Sequence, residues 1–468
     1  MERREFLIRG ALGGVLSYGL LRAPREFTQT DDPWWGEGNY APLTRERTEE
    51  RLRVTGSLPR ELNGLYVRNG SDAHPGTAAP HWFIGDGMVH GVRLSDGDAR
   101  WYRNRFVQTN QLGSSAPLGA DGPPTLASGY ANVSVVWHAD RLLASGEIGL
   151  PWELTPDDLS TVGIYDFAGR LTTSMTAHPK IDPATGAMHL FGYWFAEPYL
   201  TYHVADPSGT LVHSEVIDVA GPTMIHDFAI TDRDVVFWEL PVVFDPTRID
   251  TGIPYAWDPG YGARIGIMPL GGPASAIRWR EIDPCYVFHG VNAHRDADHV
   301  VIDVCRHEAM FDPGVTDSGR LTLRRWRLGT SGSELTFSED LVDDRKRGEL
   351  PTRDPRRVGR DYRYGYLVST GLRGPVPTYR GVVKHDFKTG AVDEWRAGPG
   401  RQPNEFLFVP TGRAEDDGCL LTYVYDALRD RSDLVVLDAR DVTRGPVATV
   451  HLPTRVPYGF HATWVPES

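Results

Sequence analysis

Short apolar runs separated by turn residues follow one another along most of this chain after Asp31. Residues 91–102, 201–213 and 382–395 each place two apolar runs on either side of a turn that contains glycine. Such segments are typical of β-hairpins, because glycine and aspartate tolerate the unusual φ angles of the turn. Helical periodicity is scarce. The pattern therefore predicts an all-β fold, which is a sandwich, a barrel or a propeller.

The length of 468 residues selects among these folds. It exceeds the usual size of a single core, but a propeller remains one domain at this length because each blade buries its face on the next. The hairpins do not recur at a strict interval, so they do not give the number of blades. We expect one propeller domain over residues 31–468.

The charge balance and the cysteines exclude several classes of protein. The formal net charge is -13 and no basic stripe is present, which argues against a nucleic-acid partner. Three scattered cysteines, Cys285, Cys305 and Cys419, fit neither a disulfide framework nor a zinc cluster, so we expect buried free thiols. Beyond the N-terminus, no apolar run approaches the ~20 residues that span a bilayer.

Four histidines stand in apolar, strand-like settings far apart in the sequence: His178, His226, His289 and His461. A single such histidine is usually a surface residue or a satisfied core residue. Several neutral imidazoles that converge on one point, however, form a ligand set that Fe, Zn, Cu or Ni accepts. A propeller would bring them together, because the inner strands of its blades face a common axis. The histidines therefore predict a metal-dependent enzyme.

The stretches around these histidines resemble those of the carotenoid cleavage oxygenases. The similarity runs from about Trp34 to Pro466 and includes three further motifs in family order: NGLYVRNG at residues 63–70, HWFIGDGMVH at residues 81–90 and EDDG at residues 415–418. The resemblance implies a seven-bladed β-propeller with one Fe(II) on its axis, held by the four histidines under a cap of loops and short helices. It also implies a dioxygenase that uses O2 to cleave a double bond of a carotenoid or apocarotenoid into carbonyl products.

Three glutamates match positions at which the family orients its histidines through the second ring nitrogen. His178 has no such partner in the family pattern. Glu349 is the least distinctive of the three, because it follows the charged residues 345–347 and would otherwise be a surface carboxylate. By resemblance, the acceptor and donor pairs are Glu147 with His226, Glu349 with His289, and Glu405 with His461.

The remaining histidines lack a comparable context. The motif Phe-His-x-x-Asn-Ala assigns the ligand role to His289 and not to His294, five residues on, which we expect to face solvent or the pocket. Surface or core positions are expected for the others, which include His81, His90, His138, His203, His213, His299, His307, His385 and His451.

Two positions depart from the family pattern. Val133 replaces a threonine that approaches the open coordination position in many members, and a valine also occurs there in the isomerase branch, which acts on retinyl esters. A simple β-branched exchange in a strand is the preferred explanation. Gly146 stands where the lignostilbene-cleaving branch commonly has a lysine that meets a phenolic hydroxyl. Without that cation we favour a hydrophobic polyene as the substrate.

Alternatives to a polyene-cleaving dioxygenase stay open. They are a dioxygenase for stilbenoids or phenylpropenoids, an isomerase, and a propeller that binds a ligand without turnover. The last is disfavoured, because a binding scaffold has no need for buried imidazoles paired with carboxylates. The resemblance further implies a hydrophobic small-molecule substrate and raises transient contact with a membrane surface, whereas the oligomeric state stays open.

The N-terminus resembles a twin-arginine export signal. Arg3 and Arg4 precede an apolar stretch over residues 11–21. That route carries folded proteins, which suits an enzyme that loads its metal before export. We therefore exclude residues 1–30 from the fold and expect a periplasmic or extracellular location. The alternative is a cytoplasmic protein with a frayed basic start, since no Ala-x-Ala cleavage site is evident.

Overall fold

Strands form nearly all of the regular structure in the computed structural model of this chain. The structure describes residues 36–77, 81–114, 124–251, 253–312, 320–373 and 376–467, so the predicted export signal lies outside the described residues. The helices within these ranges are short 3-10 turns: Gly38–Tyr40, Leu126–Ser128, Pro246–Thr251, Pro259–Tyr261, Ala274–Ala276, Pro355–Arg357 and Val442–Arg444. None of the helices in the described ranges is long and apolar enough to cross a membrane.

The strands follow one another as hairpins along the chain. The first half contains β1 Arg47–Glu50, β2 Val54–Gly56, β3 Gly64–Arg68, β4 Ser71–Asp72, β5 Asp86–Ser95, β6 Asp98–Phe106, β7 Ser134–His138, β8 Arg141–Ser145, β9 Trp152–Leu154, β10 Thr161–Ile164, β11 Lys180–Ile181, β12 Met188–Tyr193, β13 Leu200–Ala205, β14 Leu211–Val216, β15 Ala229–Ile230, β16 Asp234–Glu239 and β17 Val242–Phe244. The second half contains β18 Tyr255–Trp257, β19 Arg264–Pro269, β20 Arg278–Glu281, β21 Tyr286–Asp296, β22 His299–His307, β23 Thr322–Gly329, β24 Thr336–Asp343, β25 Gly348–Thr352, β26 Tyr364–Arg373, β27 Val376–Asp386, β28 Val392–Arg396, β29 Arg401–Pro403, β30 Leu407–Pro410, β31 Gly418–Asp426, β32 Arg431–Asp438, β33 Pro446–His451 and β34 Ala462–Pro466.

These strands build seven antiparallel blades, which confirms the predicted propeller. Blade 1 orders β1, β6, β5, β3 and β34, with β4 beside β5, and blade 2 orders β10, β9, β8 and β7. Blade 3 contains β11 to β14, blade 4 contains β15, β16, β19 and β20, blade 5 contains β21 to β24, and blade 6 contains β25 to β28. Blade 7 orders β2, β33, β32, β31 and β29, with β30 beside β31, while β17 and β18 form a separate ribbon.

Strands from both ends of the chain close the ring. The last strand, β34, pairs with β3 so that Ala462 lies opposite Arg68. The N-terminal strand β2 pairs with β33 in blade 7, with Val54 opposite Val450. Two blades therefore contain strands from both termini, and this pairing holds the ring shut.

Apolar side chains fill the spaces between neighbouring blades. Leu65 of blade 1 and Ala144 of blade 2 share one buried cluster, and Trp238 and Trp326 belong to another that spans blades 3, 4 and 5. Middle strands such as β12 and β16 are buried along their whole length, whereas in the outer strand β14 exposed residues alternate with buried or partly buried ones. Both patterns follow from blades that cover one another's faces. The three cysteines are buried and free, as predicted.

The inner strands surround the axis, and loops cover one end of it. Contacts link β34 to β7, β15 to β21, and β21 to β25 around the ring. The ribbon of β17 and β18 belongs to the cover, and the helix Pro246–Thr251 joins its two strands. Val243 of the ribbon bridges to Thr223, and the Trp257 N–H donates to the carbonyl of Phe311. This arrangement matches the predicted cap.

Candidate metal centre

The four predicted histidines meet on the propeller axis. Each belongs to the inner strand of a different blade or directly precedes it. They are His178 ahead of β11 in blade 3, His226 ahead of β15 in blade 4, His289 within β21 of blade 5, and His461 ahead of β34 in blade 1. One ring nitrogen of each lies within 4.8 Å of those of the others. The closed ring of blades brings the imidazoles together, since no two of them are close in sequence.

The spacing of the imidazoles fits one shared metal ion. Nε2 of His178 lies 2.9 Å from Nε2 of His226. Two nitrogens bound at right angles to one ion, each about 2.1 Å from it, would be about 3 Å apart. Nε2 of His289 is buried and has no hydrogen-bond partner within the described part of the chain. A buried nitrogen left without a partner is costly, so this atom marks a ligand position.

A glutamate accepts a hydrogen bond from the other ring nitrogen of three of these histidines, in the predicted pairs. The distances from Nδ1 to the carboxylate are 2.8 Å for His226 and Glu147, 2.6 Å for His289 and Glu349, and 2.8 Å for His461 and Glu405. Donation from Nδ1 leaves the lone pair of Nε2 free for a metal. The side chain of Glu349 is only 12 % exposed, so this residue is not a surface carboxylate.

The glutamates come from the three blades that supply no histidine. Glu147 follows β8 of blade 2, Glu349 lies in β25 of blade 6, and Glu405 lies between β29 and β30 of blade 7. Each of the seven blades thus places one imidazole or carboxylate at the centre. The side chains of Glu147, Glu349 and Glu405 are 23%, 12% and 11% exposed, and a divalent ion among the imidazoles would place positive charge near all three carboxylates. The assignment of these seven residues to metal binding and its support stays a prediction.

Further donors that the sequence did not single out hold the glutamates in place. Tyr193 and His307 are buried at the C-terminal ends of β12 and β22, the second strands of blades 3 and 5. The sequence signal for them is a polar side chain that ends an apolar strand. The donors and acceptors are the Tyr193 hydroxyl and Glu147 at 2.8 Å, Nε2 of His307 and Glu349 at 3.1 Å, and the Ala462 N–H and Glu405 at 2.7 Å.

Burial and the glutamates act in opposite directions on the charges at the centre. Burial lowers the pKa of His178 well below its ordinary value, and the neighbouring imidazoles lower it further. Burial also lowers the pKa of His289, against the opposing charge of Glu349. At His226, burial is outweighed by the charge and hydrogen bond of Glu147, which raise the pKa. Burial raises the pKa of Glu349, but its histidine donors outweigh burial and hold it below the ordinary value, so the carboxylate is ionised.

The structure corrects the expectation for His294. This residue is buried within β21 and does not face solvent. Its Nε2 lies 3.6 Å from Asp361, and its ring packs on Tyr362 with 6.1 Å between ring centroids. Five residues of extended strand separate it from His289 by roughly 17 Å, which is too far for the shared ion.

Val133 packs beside the ligand set. It shares a buried apolar cluster with Ala177 and Phe460, which are the chain neighbours of two of the histidines. The N–H of His461 donates to the carbonyl oxygen of Val133 over 3.0 Å. That Val133 lines the open coordination position stays a prediction.

Phenylalanine rings connect the centre to the cap. The ring of Phe288 lies 5.1 Å from that of His226 and 6.2 Å from that of Phe311. Phe83 in turn contacts Phe311 at 6.5 Å and Phe460 at 5.8 Å between centroids. Edge-to-face rings of this kind form a rigid apolar surface beside the imidazoles.

Known proteins resemble this chain over nearly its whole length. The family model of the retinal pigment epithelial membrane protein matches residues 40–466. A carotenoid cleavage oxygenase of Mycobacterium tuberculosis is 38% identical over 497 aligned positions, which cover 92% of this chain and 97% of that protein. The carotenoid 9,10(9',10')-cleavage dioxygenase 1 of Arabidopsis thaliana is 35% identical and covers 92% of this chain and 89% of its own. The crystal structure of a Pseudomonas brassicacearum lignostilbene dioxygenase aligns with a TM-score of 0.84 at 29% identity, covering 95% of this chain and 100% of that one.

Proposed function

The chain belongs to the carotenoid cleavage oxygenase family, and we propose that it cleaves a C=C double bond of a carotenoid or apocarotenoid with O2 to give two carbonyl products. The observation that carries the proposal is the set of four imidazoles whose ring nitrogens lie within 4.8 Å of one another on the axis. A non-catalytic binding propeller has no need of such a centre, and the relatives that are 38% and 35% identical to this chain are a carotenoid cleavage oxygenase and a carotenoid cleavage dioxygenase.

Iron is the metal that we assign to this centre. Four neutral imidazoles leave a divalent ion its full positive charge and two of six octahedral positions open. Zinc sites, in contrast, usually close at four ligands or combine three ligands with one water. Bound Fe(II) would supply the activation of O2, which protein side chains do not provide.

The residues around the centre position the substrate and exclude water. Phe288, Phe311 and Phe83 offer aromatic surface to a polyene and no hydrogen bond. The glutamates keep each paired imidazole oriented, so that the ligand geometry is set before substrate arrives. Addition of both atoms of O2 across a double bond, followed by scission, needs no acid or base from a side chain.

Stilbenoids or phenylpropenoids are the second candidate substrate class, because the fold closely matches that of a lignostilbene dioxygenase. The local structure at Gly146 argues against them. The residue carries no cation, and an added Cβ would lie 3.3 Å from the backbone nitrogen of Ala131. A phenolic hydroxyl left unpaired in an apolar pocket costs about 1–3 kcal/mol. We therefore place the polyene first.

The test is anaerobic reconstitution with Fe(II), followed by incubation under 18O2 with a panel of carotenoids, apocarotenoids and hydroxystilbenes. We expect two carbonyl products from an apocarotenoid, each carrying labelled oxygen. Faster cleavage of a 4-hydroxystilbene, with a marked loss when its hydroxyl is methylated, would favour the second candidate. An isomerised but uncleaved polyene would reject both and favour the isomerase activity raised by Val133.

Export by the twin-arginine route is part of the proposal. Arg3 and Arg4 ahead of the apolar residues 11–21 support it. A route for folded proteins also suits a centre to which all seven blades contribute. Residues 1–30 fused to a reporter should direct its export, and replacing both arginines with lysine should retain it in the cytoplasm. If the fusion with both arginines intact also stays in the cytoplasm, the result would favour a cytoplasmic enzyme.

Transient contact of the enzyme with a membrane surface stays a prediction.

A further inference from the structure

One buried carboxylate outside the ligand set connects three inner strands. Oδ1 of Asp227 accepts a hydrogen bond from Nζ of Lys180 over 2.5 Å, and Oδ2 accepts from the backbone N–H of Gly290 over 2.9 Å. Oδ1 also accepts from the N–H of Phe228 over 2.8 Å, which fixes the rotamer of the aspartate. Asp227 is 1% exposed. The carboxylate thus has a positive partner and two backbone donors.

Asp227 and its partners Lys180 and Gly290 each lie within two residues of a different predicted metal ligand. Asp227 itself directly follows His226 in blade 4. Lys180 lies two residues after His178 in blade 3, and Gly290 directly follows His289 in blade 5. The contacts of one side chain therefore set the relative positions of three of the four ligand-bearing segments.

The backbone at Gly290 is shaped for this contact. The pairing of β21 with β22 shifts register on both sides of Gly290. Such irregularities take backbone groups out of the regular ladder, which explains why this N–H is available to Asp227. A Cβ at this position would lie 3.2 Å from Cη2 of Trp238, so a larger residue would push the strand against the neighbouring blade.

His178 is the ligand that most needs such support. The other three imidazoles are each oriented by a glutamate, whereas His178 has no carboxylate on its ring among the described residues. Its own N–H donates to Oγ1 of Thr176 over 3.0 Å, which restrains only the local turn. The ion pair of Lys180, two residues later, joins the strand that follows His178 to blade 4.

We propose that Lys180 and Asp227 are positioning residues that hold His178 in place for the metal, in the role that the glutamates have for the other ligands. This rests on the metal centre of the proposed function. Buried ion pairs contribute little to stability compared with apolar pairs of the same volume, so a pair retained at this position is better explained by the geometry that it enforces. Metal sites tolerate ligand displacements of only a few tenths of an ångström.

The experiment uses Co2+ as the probe, because its visible spectrum reports ligand geometry independently of turnover. Lys180→Met keeps the length of the side chain and removes the charge, and Asp227→Asn removes the partner. The matched control is Asp234→Asn. Asp234 of blade 4 forms a largely buried bidentate pair with Arg295 of blade 5, at 2.6 and 2.7 Å, and so joins neighbouring blades as the Lys180 and Asp227 pair joins blades 3 and 4.

We expect Lys180→Met and Asp227→Asn to raise the Kd for Co2+ roughly 10 to 100-fold and to change the visible spectrum. Lys180→Arg should keep a Kd and a visible spectrum close to those of the wild type, because arginine also carries a positive charge. The control should lose thermal stability while keeping the Kd and spectrum of the wild type.

Wild-type Kd and spectrum in both variants, with one Co2+ bound per wild-type chain, would overturn the positioning role and leave the metal centre intact. A wild type that binds no Co2+ would instead overturn the centre itself. If Lys180→Met does not fold, the double variant K180M/D227L is used in its place, because it removes both charges of the pair and leaves neither one unpaired. In that background an unchanged Kd overturns the proposal, and a raised Kd with an altered spectrum supports it.

Discussion

The side chains of Glu349 and His289 meet at 2.6 Å although the residues are 60 positions apart in the sequence. One lies on the inner strand of blade 6 and the other on that of blade 5. The orientation of this imidazole thus depends on how two neighbouring blades pack. Glu405 and His461 likewise come from neighbouring blades, 7 and 1, whereas Glu147 and His226 come from blades 2 and 4 with blade 3 between them. Any substitution that shifts one blade against the next is expected to change the positions of the imidazoles at the centre.

Removal of one imidazole should largely abolish metal binding. His226→Ala and His461→Ala each take away one of four ligands, so we expect iron content to fall at least ~10-fold from about one per chain. Elemental analysis of the purified variants measures this directly. His299→Ala is the control, because its side chain is 45% exposed and lies outside the centre. Unchanged iron and turnover in the first two variants would contradict the ligand assignment.

Neutralising a glutamate should weaken the centre without unfolding the chain. In Glu147→Gln and Glu405→Gln the imidazole loses the anion that orients it, so metal affinity or turnover should drop by roughly 10 to 100-fold. Circular dichroism checks that the propeller remains folded. If both variants match the wild type in iron content and rate, the glutamates have no part in the centre.

Loss of the hydroxyl that holds Glu147 should have a smaller effect of the same kind. Tyr193→Phe leaves one carboxylate oxygen of Glu147 without its 2.8 Å donor. A hydrogen bond to a charged group contributes about 1.5–3 kcal/mol, so we expect a comparable loss in the free energy of unfolding and a modest fall in metal affinity. Urea denaturation and metal titration measure the two. Tyr199→Phe, in the same blade and half-buried, is the control. Equal behaviour of the two variants would show that the contact is incidental.

The stability of the chain should depend on pH through a buried aspartate that is not one of the predicted ligands or their glutamate partners. Burial raises the pKa of Asp72 to about 8, against the N–H donors of Leu43 and Ala73. The unfolded value is about 3.9, so the folded chain holds this proton more tightly. Its contribution to stability is therefore complete below about pH 4 and is lost as the pH rises toward 8, with a slope of at most ~1.4 kcal/mol per pH unit.

Asp72→Asn cannot ionise and keeps an oxygen acceptor for both N–H groups. We expect urea unfolding at pH 5, 7 and 9 to show that the free energy of unfolding of the variant increases relative to that of the wild type as the pH rises. A difference in free energy of unfolding that stays constant across this range would mean that Asp72 does not change its protonation between these pH values.

The sequence alone predicted the fold class, which the structure confirms, and four histidines as metal ligands, which stay a prediction. Hairpin signals predicted the all-β architecture because apolar runs and turn residues are local properties of the sequence. They can be recognised without knowing which segments pack together. The number of blades and the pairs of histidine and glutamate came from resemblance to a family, and the structure places Glu147, Glu349 and Glu405 where that resemblance put them. The sequence predicted that His294 faces solvent or the pocket, but the residue is buried within β21. The sequence does not show which residues of this strand the neighbouring elements cover.

Only the tertiary structure decided which other polar side chains serve the centre. Lys180 and Asp227 have no distinctive sequence context, and Tyr193 and His307 are marked only as polar residues that end an apolar strand. The partners of all four lie between 42 and 47 positions away. Such contacts depend on the register of each strand and on the closure of the ring by β34 and β2, which are properties of the whole chain. A local motif predicts that a histidine is a ligand, but the packing of one blade against the next determines what holds it there.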